Sequence, residues 1–289
     1  MTLEVVTMDK YIIVFCEGDH DVAFLSRILL VHGFIPYDKK VKEFVIPLND
    51  LYLTALKDKK IEDSKFKFQR ANIKVPYAVF EKDGTLVIFH NLGGDGNILN
   101  GKANNIKDLY LEQNDEILRI TKGYESLNYR FLYFLDADNE GINTRLQEVS
   151  DLLSLEKKLE HYTITEKEDY EVTCCVFHDA LHHNTYGKLE NILLELMTPS
   201  NEDIFSKSSS FIDKQQLDDN RRRKFICTQN KEEPQGSIQF KKEKSIISVA
   251  GQLQFSGSSN SVIIANSDYI TKDDILNNIH CQNIIKLFQ

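Results

Sequence analysis

The sequence predicts an α/β domain with a mostly parallel sheet that is flanked by helices. Residues 11–16 and 130–135 are short and almost wholly apolar runs, which is typical of strands buried on both faces of a sheet. Each run is followed by an acidic turn and then by apolar residues at helical spacing. A strand, a turn and a helix that recur in this order indicate a parallel sheet covered by helices.

The first strand leads into a tight turn and a helix. Glu17 and Gly18 follow the apolar run at 11–16, and residues 19–21 supply the Asp side chains that favour the start of a helix. Apolar residues then recur at helical spacing until Gly33. The pattern therefore predicts a buried strand, a turn that carries Glu17, and a helix that ends near Gly33.

Residues 38–90 depart from this alternation of strands and helices. They contain several short apolar segments, and Asp83-Gly84 separates two of these, which is a signal for a β-hairpin. We interpret this stretch as an inserted β-hairpin region.

The later elements of the main domain are predicted in this order: a glycine-rich turn at 93–96, a helix at about 97–112, the strand at 130–135, a helix at about 142–160, a strand at 170–177 and a helix at 191–197.

We expect residues 1–200 to form the main domain, including the insertion at about 38–90. The stretch 201–236 has little apolar periodicity and is interpreted as a loop or a helical excursion. Residues 237–289 are expected to complete the same domain as a small C-terminal α+β extension. This extension would contain two short strands, at 246–249 and 262–265, and a terminal helix at 271–288.

Composition limits the classes of function. The chain has 289 residues, 42% of them hydrophobic, and a net charge of −9, which excludes a largely disordered protein. An acidic chain is also a poor candidate for coating nucleic acid, because such binding depends on many Lys and Arg side chains. Since no apolar run approaches the ~20 residues that cross a bilayer, we expect a soluble, cytoplasmic protein without a membrane partner. The five scattered cysteines are interpreted as buried reduced thiols.

Acidic residues follow both of the buried strands. Glu17 comes after the first, and Asp136 and Asp138 come after the second. In α/β sheets the functional crevice lies beyond the carboxyl ends of the strands, so these carboxylates are expected to converge if the strands are neighbours. Carboxylates that meet without a basic residue require a cation, and Mg²⁺ suits oxygen ligands and phosphate substrates. Each acid alone would instead be read as a helix cap or a turn residue.

Three segments carry a resemblance to a known family. The segments read Cys16-Glu17-Gly18-x-x-Asp21, Phe134-Leu135-Asp136-x-Asp138-x-x-Gly141 and Gly187-Lys188-Leu189-Glu190-Asn191. The first two are similar to the Toprim signature of topoisomerases, primases and the overcoming-lysogenisation-defect (OLD) nucleases. The third resembles a segment of the small standalone Toprim proteins that are related to the OLD nucleases. The resemblance implies a Toprim-like mostly parallel sheet.

The resemblance also implies roles for individual residues. Asp136 and Asp138 would bind Mg²⁺ or Mn²⁺, and Glu17 would bind metal or act as a general acid or base. Asp21 and Glu190 would be further acidic ligands, which a second ion would need. One of two lysines would neutralise charge on the reacting phosphate, namely Lys188 or Lys244.

The resemblance implies a Mg²⁺-dependent nuclease that acts on the backbone of DNA or RNA, with a role in defence against phages or mobile elements. No Walker A motif occurs, so any ATPase would have to be a separate subunit. The sequence pattern is compatible with an oligomer. Two alternatives remain from the sequence: a non-catalytic Toprim module that binds a nucleotide or a partner protein, and an enzyme that acts on small phosphates.

Two dense basic clusters, 221–224 and 241–244, lie outside the acidic segments. They are interpreted either as solvated faces or as guides for a nucleic-acid backbone. His178, His182 and His183 are interpreted as surface or supporting positions, because adjacent histidines do not readily share one helix face.

Overall fold

The computed structural model describes residues 8–57, 75–94, 98–216, 223–228, 231–237 and 240–289. Within this part of the chain, seven strands form one mixed sheet in the order β2-β3-β4-β1-β5-β7-β6, and two more form a separate antiparallel pair. The strands are β1 Lys10–Cys16, β2 Ile35–Pro36, β3 Ala78–Lys82, β4 Thr85–Asn91, β5 Tyr129–Asp136, β6 Thr165–Glu166, β7 Tyr170–Phe177, β8 Arg223–Thr228 and β9 Lys231–Ser237.

The described residues also form eleven α-helices around this sheet. They are α1 Asp19–Val31, α2 Leu48–Lys57, α3 Ala103–Leu111, α4 Glu116–Lys122, α5 Ile142–Leu152, α6 Leu189–Met197, α7 Glu202–Asp213, α8 Lys242–Gln254, α9 Asn260–Asn266, α10 Lys272–Asn277 and α11 Ile279–Lys286. None of the helices in the described ranges is both long enough and apolar enough to cross a membrane.

The four central strands of the sheet are parallel. β1 pairs in parallel with β4 on one side and with β5 on the other, and β5 pairs in parallel with β7. The antiparallel strands lie at the two edges, where β3 pairs with β4 and β6 pairs with β7. The predicted α/β class with a mostly parallel sheet is therefore confirmed at this level.

Both faces of the sheet are buried, as the continuous apolar runs predict. Along β1, Ile12 and Val14 belong to a core cluster that also contains side chains of α1, α6, α8, α9 and α11. Tyr11 and Phe15 point to the other face and belong to a cluster with α2, α3 and α5. Side chains alternate between the faces of a strand, so one apolar run serves two hydrophobic layers.

The prediction that the hairpin is inserted outside the main sheet is wrong. A tight turn at Asp83-Gly84 joins β3 and β4, as predicted, and both residues have positive φ. However, β4 pairs with β1 from Lys10 to Cys16, so the hairpin is part of the main sheet. The apolar strand of the hairpin, β4, is buried on both faces of the sheet, because it lies next to the central strand β1. Within 38–90, residues 58–74 lie outside the described residues.

The two strands expected near the C-terminus are also wrong. Residues 246–249 lie within α8 and residues 262–265 lie within α9. In α8, Ile246, Ile247 and Ala250 are buried together on one helical face, a spacing that a short apolar run does not distinguish from a strand. The expected terminal helix is interrupted at Asn278, whose side chain accepts hydrogen bonds from the first backbone N–H groups of α11.

Two other expectations are refined. The expected helix at 142–160 ends at Leu152. The stretch 201–236 contains helix α7, as the helical alternative predicted, and also nearly all of the β8–β9 hairpin, which the sequence pattern did not predict.

Candidate functional site

A cavity of about 510 Å³ lies at the carboxyl ends of the central strands. Glu17 follows β1, Asp136 ends β5 and Asn91 ends β4, so three adjacent parallel strands deliver polar side chains to one edge of the sheet. The cavity is lined by Glu17, Gly18, Asp19, His20, Asp21, Val75, Pro76, Tyr77, Asn91, Leu92, Gly93, Gly94, Asp136, Glu190, Lys241 and Lys244. Four of the five acids expected from the sequence are therefore brought together.

Glu17 and Asp136 are held side by side by the pairing of β1 with β5. The backbone N–H of Asp136 donates to Glu17 Oε1 at 3.4 Å, and Asp136 Oδ1 accepts from the backbone N–H of Leu189 at 2.8 Å. Burial raises the pKa of Asp136 well above its usual value, and the charges of Asp21, Glu17 and Glu190 raise it further. These carboxyl groups thus repel one another when they are all ionised.

Asp21 reaches the same cavity from the first turn of α1. It is 8% exposed, and its Oδ2 accepts from the backbone N–H of Gly18 at 2.8 Å. This hydrogen bond caps the helix and fixes the side chain. Burial raises the pKa of Asp21 to about 6, and the hydrogen bond from Gly18 only partly offsets that rise.

Glu190 enters the cavity from α6 and is 1% exposed. Its Oε1 is 3.0 Å from His20 Nδ1 and 3.3 Å from Lys244 Nζ. Burial opposes ionisation, but the hydrogen bonds and charges of His20 and Lys244 outweigh it and lower the pKa of Glu190. Its other oxygen, Oε2, is buried and has no hydrogen-bond partner among the described residues. A buried carboxylate oxygen without a partner is costly unless a ligand satisfies it.

Asp138 and Lys188, which were expected in the site, do not line the cavity. Asp138 has a φ of +46°, and its backbone pairs with Gly187 in a short bridge beyond β5. Its Oδ2 lies 3.4 Å from Arg145 Nη2. Lys188 Nζ is 4.0 Å from Glu243 Oε2. The backbone bridge between Asp138 and Gly187 lies directly beyond β5, and Asp136 lines the cavity whereas Asp138 does not.

Several cavity residues were missed as site residues in the sequence. Asn91 Nδ2 donates a short hydrogen bond to Asp19 Oδ1, and the Tyr77 hydroxyl pairs with the same carboxylate. His20 was interpreted only as part of a helix start. The rule that site residues follow parallel strands would have found Asn91, had β4 been placed beside β1.

The basic cluster at 241–244 was expected outside the acidic core, but Lys241 and Lys244 both line the cavity. Residues 221–222 of the other cluster lie outside the described residues. The glycine-rich turn also contributes, since the backbone N–H of Gly94 donates to the Glu17 carbonyl at 2.7 Å. Gly94 has a φ of +123°, a conformation that glycine adopts without strain.

Of the histidines expected at surface or supporting positions, His182 and His183 are exposed and His178 is half-buried. The His178 ring lies 5.4 Å from that of His161 and 5.3 Å from that of His280, measured between ring centroids. His182 Nδ1 instead pairs with Asp179 Oδ1 at 2.8 Å. Across the described ranges, no group of three or more His, Cys, Asp or Glu side chains is already arranged to hold a metal ion.

The donor set nevertheless suits a hard cation. Five acidic residues line one cavity, two of them have raised pKa values, and one buried oxygen has no hydrogen-bond partner among the described residues. A divalent cation bound there would relieve the repulsion and satisfy that oxygen.

No protein-family model and no curated protein matches the sequence. Among solved structures, the fold is similar to that of hypothetical protein PH0156 from Pyrococcus horikoshii OT3, with a TM-score of 0.51. The two chains are 13% identical, and the alignment covers 97% of this chain and 94% of the other. At this identity the similarity describes the α/β architecture along nearly the whole length of both chains.

Proposed function

We propose that this protein is a Toprim-related, Mg²⁺- or Mn²⁺-dependent nuclease that hydrolyses phosphodiester bonds of nucleic acid. One observation carries the proposal. Glu17 and Asp136 lie at the carboxyl ends of adjacent parallel strands, and both line a cavity that also contains Lys241 and Lys244. Carboxylates that bind a divalent cation, next to lysines that bind phosphate, form an arrangement suited to phosphoryl transfer.

Glu17 and Asp136 would hold the cation, with Asp21 and the unpartnered oxygen of Glu190 as further ligands. When bound, the ion would polarise a phosphate oxygen and lower the pKa of a bound water. Lys244 is oriented by Glu190 at 3.3 Å and would bind a phosphate oxygen of the substrate. Burial alone would lower the pKa of Lys244, but the charge and the hydrogen bond of Glu190 outweigh burial and raise it. Lys244 is therefore positively charged at neutral pH.

The proposal excludes two residues that the sequence suggested. The Asp138 carboxylate pairs with Arg145 and Lys188 faces Glu243, and neither lines the cavity. We therefore expect Asp138 to support the turn after β5 and Lys188 to support the contact between α6 and α8.

Asp136→Asn tests the proposal directly. The variant should lose Mn²⁺ binding, measured by calorimetry, and should cut plasmid DNA or single-stranded RNA more than about 100-fold more slowly in Mg²⁺, because a ligand is removed. The matched control is Glu156→Gln, which changes an exposed carboxylate that does not line the cavity. The control should bind and cleave like the parent.

The outcomes separate the alternatives. If the parent binds Mn²⁺ but cleaves neither DNA nor RNA, the nuclease is refuted and a non-catalytic module is favoured. Activity on nucleoside triphosphates but not on polymers would support an enzyme for small phosphates instead. Equal cleavage by the parent and by Asp136→Asn would show that the chemistry lies elsewhere.

A further inference from the structure

Tyr77 is an exposed aromatic side chain on the wall of the acidic cavity. It is 55% exposed, and Val75 and Pro76 line the cavity beside it. Its backbone N–H donates to the Phe89 carbonyl at 2.7 Å, which extends the β3–β4 hairpin by one residue. The position of the residue is therefore fixed by the sheet.

The polar end of Tyr77 interacts with the Asp19 carboxylate, and partial burial and this carboxylate both raise the pKa of the Tyr77 hydroxyl. Asn91 Nδ2 donates to that same carboxylate, so Asp19 at the start of α1 is tied to the end of β4 beside the ring. More than half of Tyr77 stays accessible. An ordered ring loses little entropy when a flat ligand stacks on it.

The same cavity therefore combines three features: an ordered aromatic face, two lysines, and a group of carboxylates suited to a cation. Its volume of about 510 Å³ lies within the range for small-ligand sites, about 300–1,000 Å³. A nucleobase stacks on an aromatic ring, while the attached phosphate requires cationic partners.

We propose that Tyr77 is the stacking platform for an unpaired nucleobase of the substrate. The inference rests on the proposed function and deepens it, because it names single-stranded nucleic acid as the substrate class. In an intact duplex the base faces are covered by their neighbours in the stack, so a duplex would need to fray or expel a base to reach this ring. A single strand offers its base faces without that cost.

Tyr77→Trp provides a binding signal that does not depend on catalysis. The protein contains no tryptophan, so this variant would carry a single tryptophan fluorophore, placed in the cavity. With Ca²⁺ in place of Mg²⁺, we expect its fluorescence to be quenched by an oligothymidylate of about 12 nucleotides. We expect weak quenching by thymidine monophosphate and no quenching by an abasic oligomer of the same length. This result would identify the base as the quencher.

Affinity is then measured by anisotropy of labelled oligonucleotides. Tyr77→Leu should weaken binding of the single strand about tenfold or more, with little change for the abasic oligomer or a blunt duplex. Tyr77→Phe keeps the ring and should retain most of the affinity. Phe211→Leu is the matched control, because Phe211 is 56% exposed and does not line the cavity.

The inference fails if Tyr77→Leu binds the single strand as tightly as the parent, or if it weakens the abasic oligomer equally. Failure of the nuclease proposal looks different. In that case the single strand would still bind through Tyr77, but no cleavage would follow in Mg²⁺ or Mn²⁺. Tight binding of the mononucleotide alone would overturn the assignment to a polymer.

Discussion

Asp21 shows how one buried carboxyl group can oppose folding while it serves a site. Its side chain sits in the cavity, where the first turn of α1 and the nearby Glu190 surround it. Burial raises its pKa from 3.8 to about 6. Between these two values the unfolded chain ionises while the folded chain keeps the proton, so the folded state loses stability as the pH rises.

We expect Asp21→Asn to stabilise the protein at pH 7 when a chelator removes divalent cations. The pKa difference corresponds to about 3 kcal/mol, since one pKa unit corresponds to about 1.36 kcal/mol. The contribution of this carboxyl is fully favourable below its unfolded pKa and is lost as the pH rises through about 6. Urea unfolding at several pH values should therefore show a gain at pH 7 that vanishes near pH 4.

Glu156→Gln serves as the control for that measurement, because its carboxylate is exposed. A destabilised Asp21→Asn protein at pH 7 would contradict the burial argument. Saturating Mg²⁺ should reverse the order at pH 7, because binding to the folded state favours the parent with its intact ligand.

At this scale the sequence located some site residues and not others. Glu17 and Asp136 were predictable because each directly follows an apolar strand. Asp138 was predicted as a metal ligand, but it does not line the cavity, and its backbone forms a bridge to Gly187, 49 residues later in the chain. Tyr77 could not be predicted, because it enters the cavity only through the pairing of β3 with β4 and of β4 with β1.

At the level of elements, the loop before α6 positions both the site and the turn after β5. Gly187 pairs with Asp138, and two residues later the Leu189 N–H donates to Asp136 Oδ1. Gly187 has a φ of +114°, and a Cβ there would lie 2.7 Å from the backbone nitrogen of Asp179. Both the backbone conformation and the space therefore require glycine.

Gly187→Ala should destabilise the protein by about 3 kcal/mol, because positive φ and a backbone clash add together. The matched control is Gly257→Ala, which has a φ of +85° but meets no atom within 4 Å and should cost only about 1 kcal/mol. Thermal unfolding of both variants measures the difference. Equal losses of stability in the two variants would show that the close approach to Asp179 adds nothing to the cost of Gly187→Ala.

The helices α8 and α9 show why element type was harder to predict than element position. Each contains a short apolar run, and the same run satisfies a buried strand or one face of a helix. Only the tertiary contacts distinguish the two: Ile247 and Ile263 pack in the core cluster that also contains side chains of α1. In contrast, the strand at Tyr170–Phe177 was predicted with its observed bounds.

At the scale of the whole molecule, Arg27 ties the first helix to the C-terminal part of the chain. Its guanidinium donates to the carbonyl oxygens of Ile264, Ser267 and Ile270, which lie in α9 and in the turn that follows it. A planar group with several N–H donors can reach all three carbonyls, whereas a lysine cannot match that geometry.

Arg27→Lys should therefore lower stability by about 2 kcal/mol and leave carbonyl groups unsatisfied. Arg119→Lys is the control, since Arg119 donates to a single carbonyl, that of Asn114, and its loss should stay below about 1 kcal/mol. Urea unfolding gives both free energies. If the two substitutions cost the same, the connection between α1 and α9 is not specific to arginine.

The sequence by itself determined the strands that are buried on both faces, the helix after the first of them and the acids that follow two of them. These features depend on local periodicity and on residue chemistry within a few positions. The tertiary structure alone decided the place of β4 in the sheet, the direction of Asp138, and the meeting of Tyr77, Lys241 and Lys244 with the acids. These depend on pairings between segments far apart in the chain, and a sequence pattern that spans only one segment does not specify its partner.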